Sequence, residues 1–159
     1  MKRFFAGLII LLSLTATGAV YNLENIPNPK VADSRTSVSN PDGIIRAETV
    51  YELNILLDSL EKTTRTEVAV VLVESIGDEN IEMFATSLFK NWGIGKAKED
   101  NGLLVLFVLD QRAIRFETGY GIEGLIPDAM ASRIQQQSMF PYFKSGDYDT
   151  GFLKGMQHV

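Results

Sequence analysis

Leu103-Leu104-Val105-Leu106-Phe107-Val108, then Leu109-Asp110-Gln111-Arg112, then Ala113-Ile114-Arg115-Phe116-Glu117-Thr118, is the stretch that decides the fold. The first run is apolar without interruption, the pattern of a strand covered on both faces. In the last run Ile114 and Phe116 alternate with Arg115 and Glu117, as on a half-buried edge strand. The segment between them is too short for a crossover, so the two strands must be antiparallel.

Working outward, Glu67-Val68-Ala69-Val70-Val71-Leu72-Val73 is a second buried, β-branched run. Between the two runs Ile81, Phe84, Ala85, Leu88, Phe89 and Trp92 recur at helical spacing. Strand, helix, strand predicts a parallel pair joined by a right-handed crossover. Val50, Leu53, Leu56, Leu57 and Leu60 predict an amphipathic helix from Glu48 to about Lys62. Pro127 precedes a predicted helix from about Asp128 to Phe140, and Tyr148 to Met156 reads as a last helix. The expected fold is α/β: a three-layer α/β/α sandwich, with parallel core strands and an antiparallel hairpin edge. One domain is expected over 38–159, with the Asn-, Pro- and Ser-rich residues 20–37 as a linker.

The start of the chain has a different character. Lys2 and Arg3 precede an apolar run from Phe4 to Leu14 and small residues from Thr15 to Ala19, the layout of a secretory signal peptide over 1–19. The expected location is therefore extracytoplasmic, periplasmic or secreted. Cysteine is absent, which excludes disulfides, a thiolate nucleophile, zinc–thiolate sites and a lipoprotein anchor. The formal net charge is −5, and loss of Lys2 and Arg3 on export makes the domain more acidic. Such a surface repels phosphate backbones, so no nucleic-acid partner is expected.

Covalent catalysis is poorly supplied. The one histidine, His158, lies next to the last residue of the sequence. Gly119-Tyr120-Gly121-Ile122-Glu123-Gly124 matches G-x-G-x-x-G in letters, but follows an edge strand rather than the first strand of a βαβ unit. Oxygen ligands remain, and these suit calcium or magnesium. Asp42, Asp78 and Asp110 are expected at the carboxyl end of the parallel strands; Asp100 and Asp128, with the Gly119-Tyr120-Gly121 turn, at the opposite end. Singly, Asp100 reads as a turn residue and Asp128 as a first-turn helix acid. Together with Asn101, Asp42 and Asp78 they are candidate cation ligands. Arg112 and Arg115 are candidate anion partners. Phe84, Phe89 and Trp92 read as core, and Tyr120 as a residue that lines a cleft or covers the core.

Trp92-Gly93-Ile94-Gly95, Asp100-Asn101-Gly102-Leu103-Leu104, Asp110-Gln111-Arg112, Glu117-Thr118-Gly119-Tyr120-Gly121-Ile122-Glu123, Leu125-Ile126-Pro127-Asp128 and Gly146-Asp147-Tyr148 together resemble the TPM-domain family over about Val38 to Val159. That family takes its name from thylakoid-lumen, photosystem II repair and acetylcholine-receptor modulator proteins. The resemblance implies a Rossmann-like sandwich, an extracytoplasmic site of action and divalent-cation binding. Carried over by motif, the metal ligands are Asp100 and Asp128, with Asp42 from the opening loop as a third. Many relatives have Asp where this chain has Asn40. Bacterial relatives often continue into a transmembrane helix, so a membrane tether is expected if the natural chain extends beyond Val159. Two functions follow as expectations. One is a non-catalytic domain that binds calcium or magnesium and serves envelope protein assembly or maintenance through a protein partner. The other is a metal-dependent acid phosphatase, the activity attributed to the thylakoid branch.

Overall fold

A computed structural model describes residues 18–95 and 98–159. Most of the signal-peptide expectation, residues 1–17, lies outside the described residues. Four strands form one mixed sheet in sequence order. They are β1 (Val38–Ser39), β2 (Glu67–Val73), β3 (Gly102–Val108) and β4 (Ala113–Thr118). β1, β2 and β3 are parallel, while β4 returns antiparallel with Phe107 opposite Ile114. The helices are α1 (Pro29–Ala32), α2 (Ala47–Thr64), α3 (Ile81–Trp92), α4 (Asp128–Ile134), α5 (Phe140–Phe143) and α6 (Tyr148–Met156).

The pleat sorts the two apolar strands between two cores. Val68, Val70, Leu72, Leu103, Val105 and Phe107 face one side, where α2 and the α4–α6 segment cover them. Ala69, Val71, Val73, Leu104, Leu106 and Val108 face the other, under α3. Every residue of β3 is buried, and each such Val or Leu contributes about 1.5–3 kcal/mol. This is the expected three-layer sandwich.

Two segments differ from expectation. Residues 20–37, expected as a linker, lie against the domain: Tyr21 N–H donates to the Ser75 carbonyl at 2.9 Å, and Ile26 is buried in the core under α3. Their polar composition reflects turns, with Asn22 and Asn28 accepting from nearby backbone N–H groups, rather than freedom from the sheet. The expected helix 128–140 instead continues to Phe143, with a wide π turn at Gln135–Met139 between α4 and α5. Pro141 lacks an N–H and its ring would clash with the carbonyl of a regular preceding turn; the wider turn accommodates it.

The C-terminal segment closes the first core by a fit of small against large. Gly151 and Gly155, one turn apart on α6, face Phe143 and Met139, and a Cβ at Gly151 would meet the Phe143 ring at 2.5 Å. The helices thereby approach closely enough for Phe107, Phe143, Tyr148 and Phe152 to form one cluster, with centroids 5.2–5.7 Å apart.

Candidate functional site

The motif-bearing turns pack at the amino end of β3. Asp100, at φ 45°, accepts the Tyr120 N–H on its carboxylate at 2.8 Å and the Gly121 N–H on its carbonyl at 3.0 Å. A Cβ at Gly119 or Gly121 would fall inside contact distance of the Asp100 or Glu99 carbonyl. The glycines of the Gly-Tyr-Gly stretch are thus required by close backbone approach. Asn101 is buried and donates from its amide to Glu99 at 3.0 Å and to the Arg65 carbonyl. Tyr120 itself is 82% exposed and covers no core.

Asp42 lies at the other end. Its carboxylate accepts the Tyr21 hydroxyl at 2.9 Å and the Glu74 N–H, just past β2, at 2.7 Å. Burial, followed by these contacts with Asp42, raises the Tyr21 phenol above its usual range. The seven-residue strand between the two ends spans about 20 Å at roughly 3.3 Å per residue. Asp128 is in neither place. It is an exposed first-turn residue of α4, in a cleft along β4 lined by Glu82, Arg115 and Phe116. Asp100 does not line that cleft. The 3₁₀ turn Tyr120–Ile122 and the stretch to Pro127 carry the chain away from the Gly-Tyr-Gly turn before α4 begins. Asp42, Asp100 and Asp128 do not converge, and no group of three or more His, Asp or Glu side chains does among the described residues. Arg115 takes the commoner course of pairing with Glu117, at 3.2 Å.

What the structure does build lies at the carboxyl end of β3. A cavity of about 560 Å³ opens between the β3–β4 hairpin and the α5–α6 connection. Phe107, Ile114, Phe140, Phe143 and Tyr148 form its wall, with Arg112 and Lys144 exposed beside them. Neither cation makes an ion pair among the described residues. Arg112 is held at φ 48° by the hairpin turn, its N–H donating to the Leu109 carbonyl at 3.0 Å. Such a left-handed position favours Gly or Asn. The sequence marks Arg112 as a candidate anion partner but gives no sign of Lys144, Phe140 or Phe143 beside it, which belong to α5 and the connection after it, with no motif of their own. The cavity size and position are those of ligand sites in α/β sheets. His158, past the end of α6, is at the other end of the domain, where the neighbouring Val159 packs by Thr66 and Ile122.

The architecture is thus an α/β/α sandwich domain with a cavity beyond the carboxyl ends of its strands. The sequence profile of the TPM domain matches residues 38–159, and the chain belongs to that family. It is similar to the N-terminal domain of a protein from P. gingivalis, at 42% identity and a TM-score of 0.81 over 87% of this chain and 88% of that one. The BA42 protein of Bizionia argentinensis has the same fold at 20% identity, with a TM-score of 0.64 over 75% and 81% of the two chains. So has the N-terminal domain of the cg2496 protein of Corynebacterium glutamicum, at 16% identity and 0.63 over 88% and 85%. No curated protein matches the chain.

Proposed function

We propose that this TPM domain is an exported, non-catalytic recognition module that serves the assembly or maintenance of cell-envelope proteins, with its recognition site in the cavity beside β3 and β4. The observation that carries this reading is the pair Arg112 and Lys144, without an ion pair among the described residues and beside an aromatic wall, while the only imidazole lies at the far end of the domain. A site with binding groups and no imidazole or carboxylate in its lining holds a ligand more readily than it turns one over.

Divalent-cation binding belongs to this proposal at the opening loop, where Asp42 is already oriented by Tyr21 and Glu74. Calcium accepts carboxylate and carbonyl oxygens at flexible geometry, while magnesium makes do with one or two carboxylates and water. The second reading, phosphate-ester hydrolysis, is favoured by the same two cations, because Arg and Lys stabilise a transferring phosphoryl group.

One pair of measurements separates these readings. Amide NMR shifts during calcium and magnesium titration are expected to saturate around Asp42 and Glu74; no saturable shift at millimolar metal removes the cation from the proposal. A chromogenic phosphate ester is expected to remain unhydrolysed with or without metal. Turnover that disappears in Arg112→Ala would overturn the non-catalytic reading and establish the phosphatase.

A further inference from the structure

We propose that the cavity between the β3–β4 hairpin and the α5–α6 connection binds an arylalkyl carboxylate: one carboxylate held at the rim by Arg112 and Lys144, with an aromatic body against Phe107, Phe140, Phe143 and Tyr148. This rests on the recognition reading above and names the chemistry of its ligand.

Three observations converge. The first is charge. Of the cations near the sheet, Lys30 is held by Glu61 at 2.7 Å and Glu67 at 3.3 Å, Arg46 by Asp149 at 3.4 Å and Arg115 by Glu117 at 3.2 Å. Arg112 and Lys144 make no such pair among the described residues, although acidic side chains outnumber basic ones in the chain by 20 to 15. Asp147, in the α5–α6 connection itself, caps α6 by accepting the Thr150 N–H at 3.1 Å, and Asp149 accepts from Arg46 and Thr49. An anion from outside would meet both cations without displacing a protein carboxylate.

The second is shape and surface. Phe107 is 3% exposed, so it forms a floor, whereas Phe140, Phe143 and Tyr148 are only half-covered and leave ring surface in contact with solvent. The Phe107, Phe143 and Tyr148 rings stand at 48–53° to one another, at centroid separations of 5.2–5.3 Å. A further ring would meet edges and faces in the tilted arrangement aromatic groups prefer. A volume of about 560 Å³ suits a small organic ligand. A bare inorganic anion would leave the aromatic wall wet.

The third is backbone. Arg112 sits at φ 48° in a turn that glycine or asparagine would satisfy with less strain. The guanidinium is what an arginine adds there, and its planar fork matches the two oxygens of a carboxylate. The same chemistry occurs at the C-terminus of a peptide ending in Phe or Tyr and in a free aryl acid, and the test separates these sources.

The experiment titrates the domain with N-acetylphenylalanine, its neutral amide, hydrocinnamate, a tetrapeptide ending in Phe, inorganic phosphate and phenyl phosphate, followed by amide NMR shifts at 111–115 and 143–148. Saturable binding is expected for the acids, at least about tenfold tighter than for the amide, the consequence of one charge-assisted hydrogen bond. A tetrapeptide that binds tighter than hydrocinnamate identifies a peptide C-terminus; the reverse order identifies a free acid. Arg112→Gly, which keeps the turn, and Lys144→Gln should each weaken binding about tenfold or more while leaving the thermal midpoint within a few degrees. Equal binding of acid and amide, or inorganic phosphate binding as tightly as the acids, would overturn the proposal while leaving the recognition reading in place. Hydrolysis of phenyl phosphate would instead overturn that reading.

Discussion

Gly121→Ala tests whether the Gly-Tyr-Gly turn is a ligand cradle or a structural joint. The new Cβ would fall inside contact distance of the Glu99 carbonyl and 3.1 Å from that of Asp100. Both obstacles are backbone, so the turn must move. Moving it loosens the Gly121-to-Asp100 hydrogen bond at 3.0 Å and the Tyr120-to-Asp100 bond at 2.8 Å. Two hydrogen bonds contribute about 1 kcal/mol each, and forcing a methyl into a filled space costs about 1–3 kcal/mol. The expected loss is about 3–5 kcal/mol, a large share of the roughly 5–15 kcal/mol of a typical domain. At about 3 °C per kcal/mol for a chain of this size, the thermal midpoint should fall by about 10–15 °C. Asp100→Asn is the companion variant. An amide oxygen still accepts the Tyr120 N–H, so its cost should stay below about 1 kcal/mol. Differential scanning calorimetry of both variants, with EDTA and with millimolar calcium, reads the outcome. A midpoint within 3 °C of wild type for Gly121→Ala would refute the close-approach argument. An Asp100→Asn variant that destabilises only in calcium would show that the carboxylate serves a cation after all.

Other perturbations follow from the same contacts. Asp149→Ala should cost about 1–2 kcal/mol by denaturant unfolding, because Asp149 on α6 accepts the Arg46 N–H at 2.8 Å and the Thr49 hydroxyl at 2.6 Å and so supplies the cap that Arg46 cannot give α2. Burial works to raise the Asp149 carboxyl, but the Thr49 and Arg46 hydrogen bonds outweigh it and hold the group below its usual range. Its contribution is therefore fully present above an unfolded value of about 3.9 and disappears as pH falls through the lower folded value; Asp149→Asn should flatten that acid limb. Gly151→Ala should push the Phe143 ring toward the cavity and cost a net 1–2 kcal/mol or so, since overpacking exceeds the gain in helix propensity. An unchanged midpoint would show that the aromatic cluster yields freely. Asn40→Asp should lose the amide donation to the Ile45 carbonyl, now 2.7 Å, and destabilise by about 1–2 kcal/mol in EDTA. Recovery in calcium would support the cation proposal at the opening loop, and none would count against it.

The sheet was legible because its signals are local. Periodicity placed β2, α3, β3, β4 and α6 with little error, and the short Leu109–Arg112 link required an antiparallel edge. β1 carries no signal of its own, since two residues show no period. The packing of residues 20–37 was hidden because Asn and Pro mark turns equally well in a linker and in a segment lying on a sheet. The site divides in the same way. Asp100 and the Gly-Tyr-Gly stretch stood out, yet they hold one another in place. Lys144 and Phe140 carried no signal, being ordinary residues in an ordinary connection.

Amino-acid order alone determined the α/β sandwich, the parallel core and the edge hairpin, because burial on two faces, burial on one and the reach of a short turn are properties of neighbouring residues. Strand direction also set Asp42 and Asp100 at opposite ends of the sheet. Tertiary structure alone decided that Asp149 caps a helix 103 residues away, and that Arg112 and Lys144 share one cavity. The shared cavity depends on where packing against Gly151 and Gly155 brings α5 to rest beside the hairpin. That position is set by the summed fit of distant side chains, which no window of sequence contains.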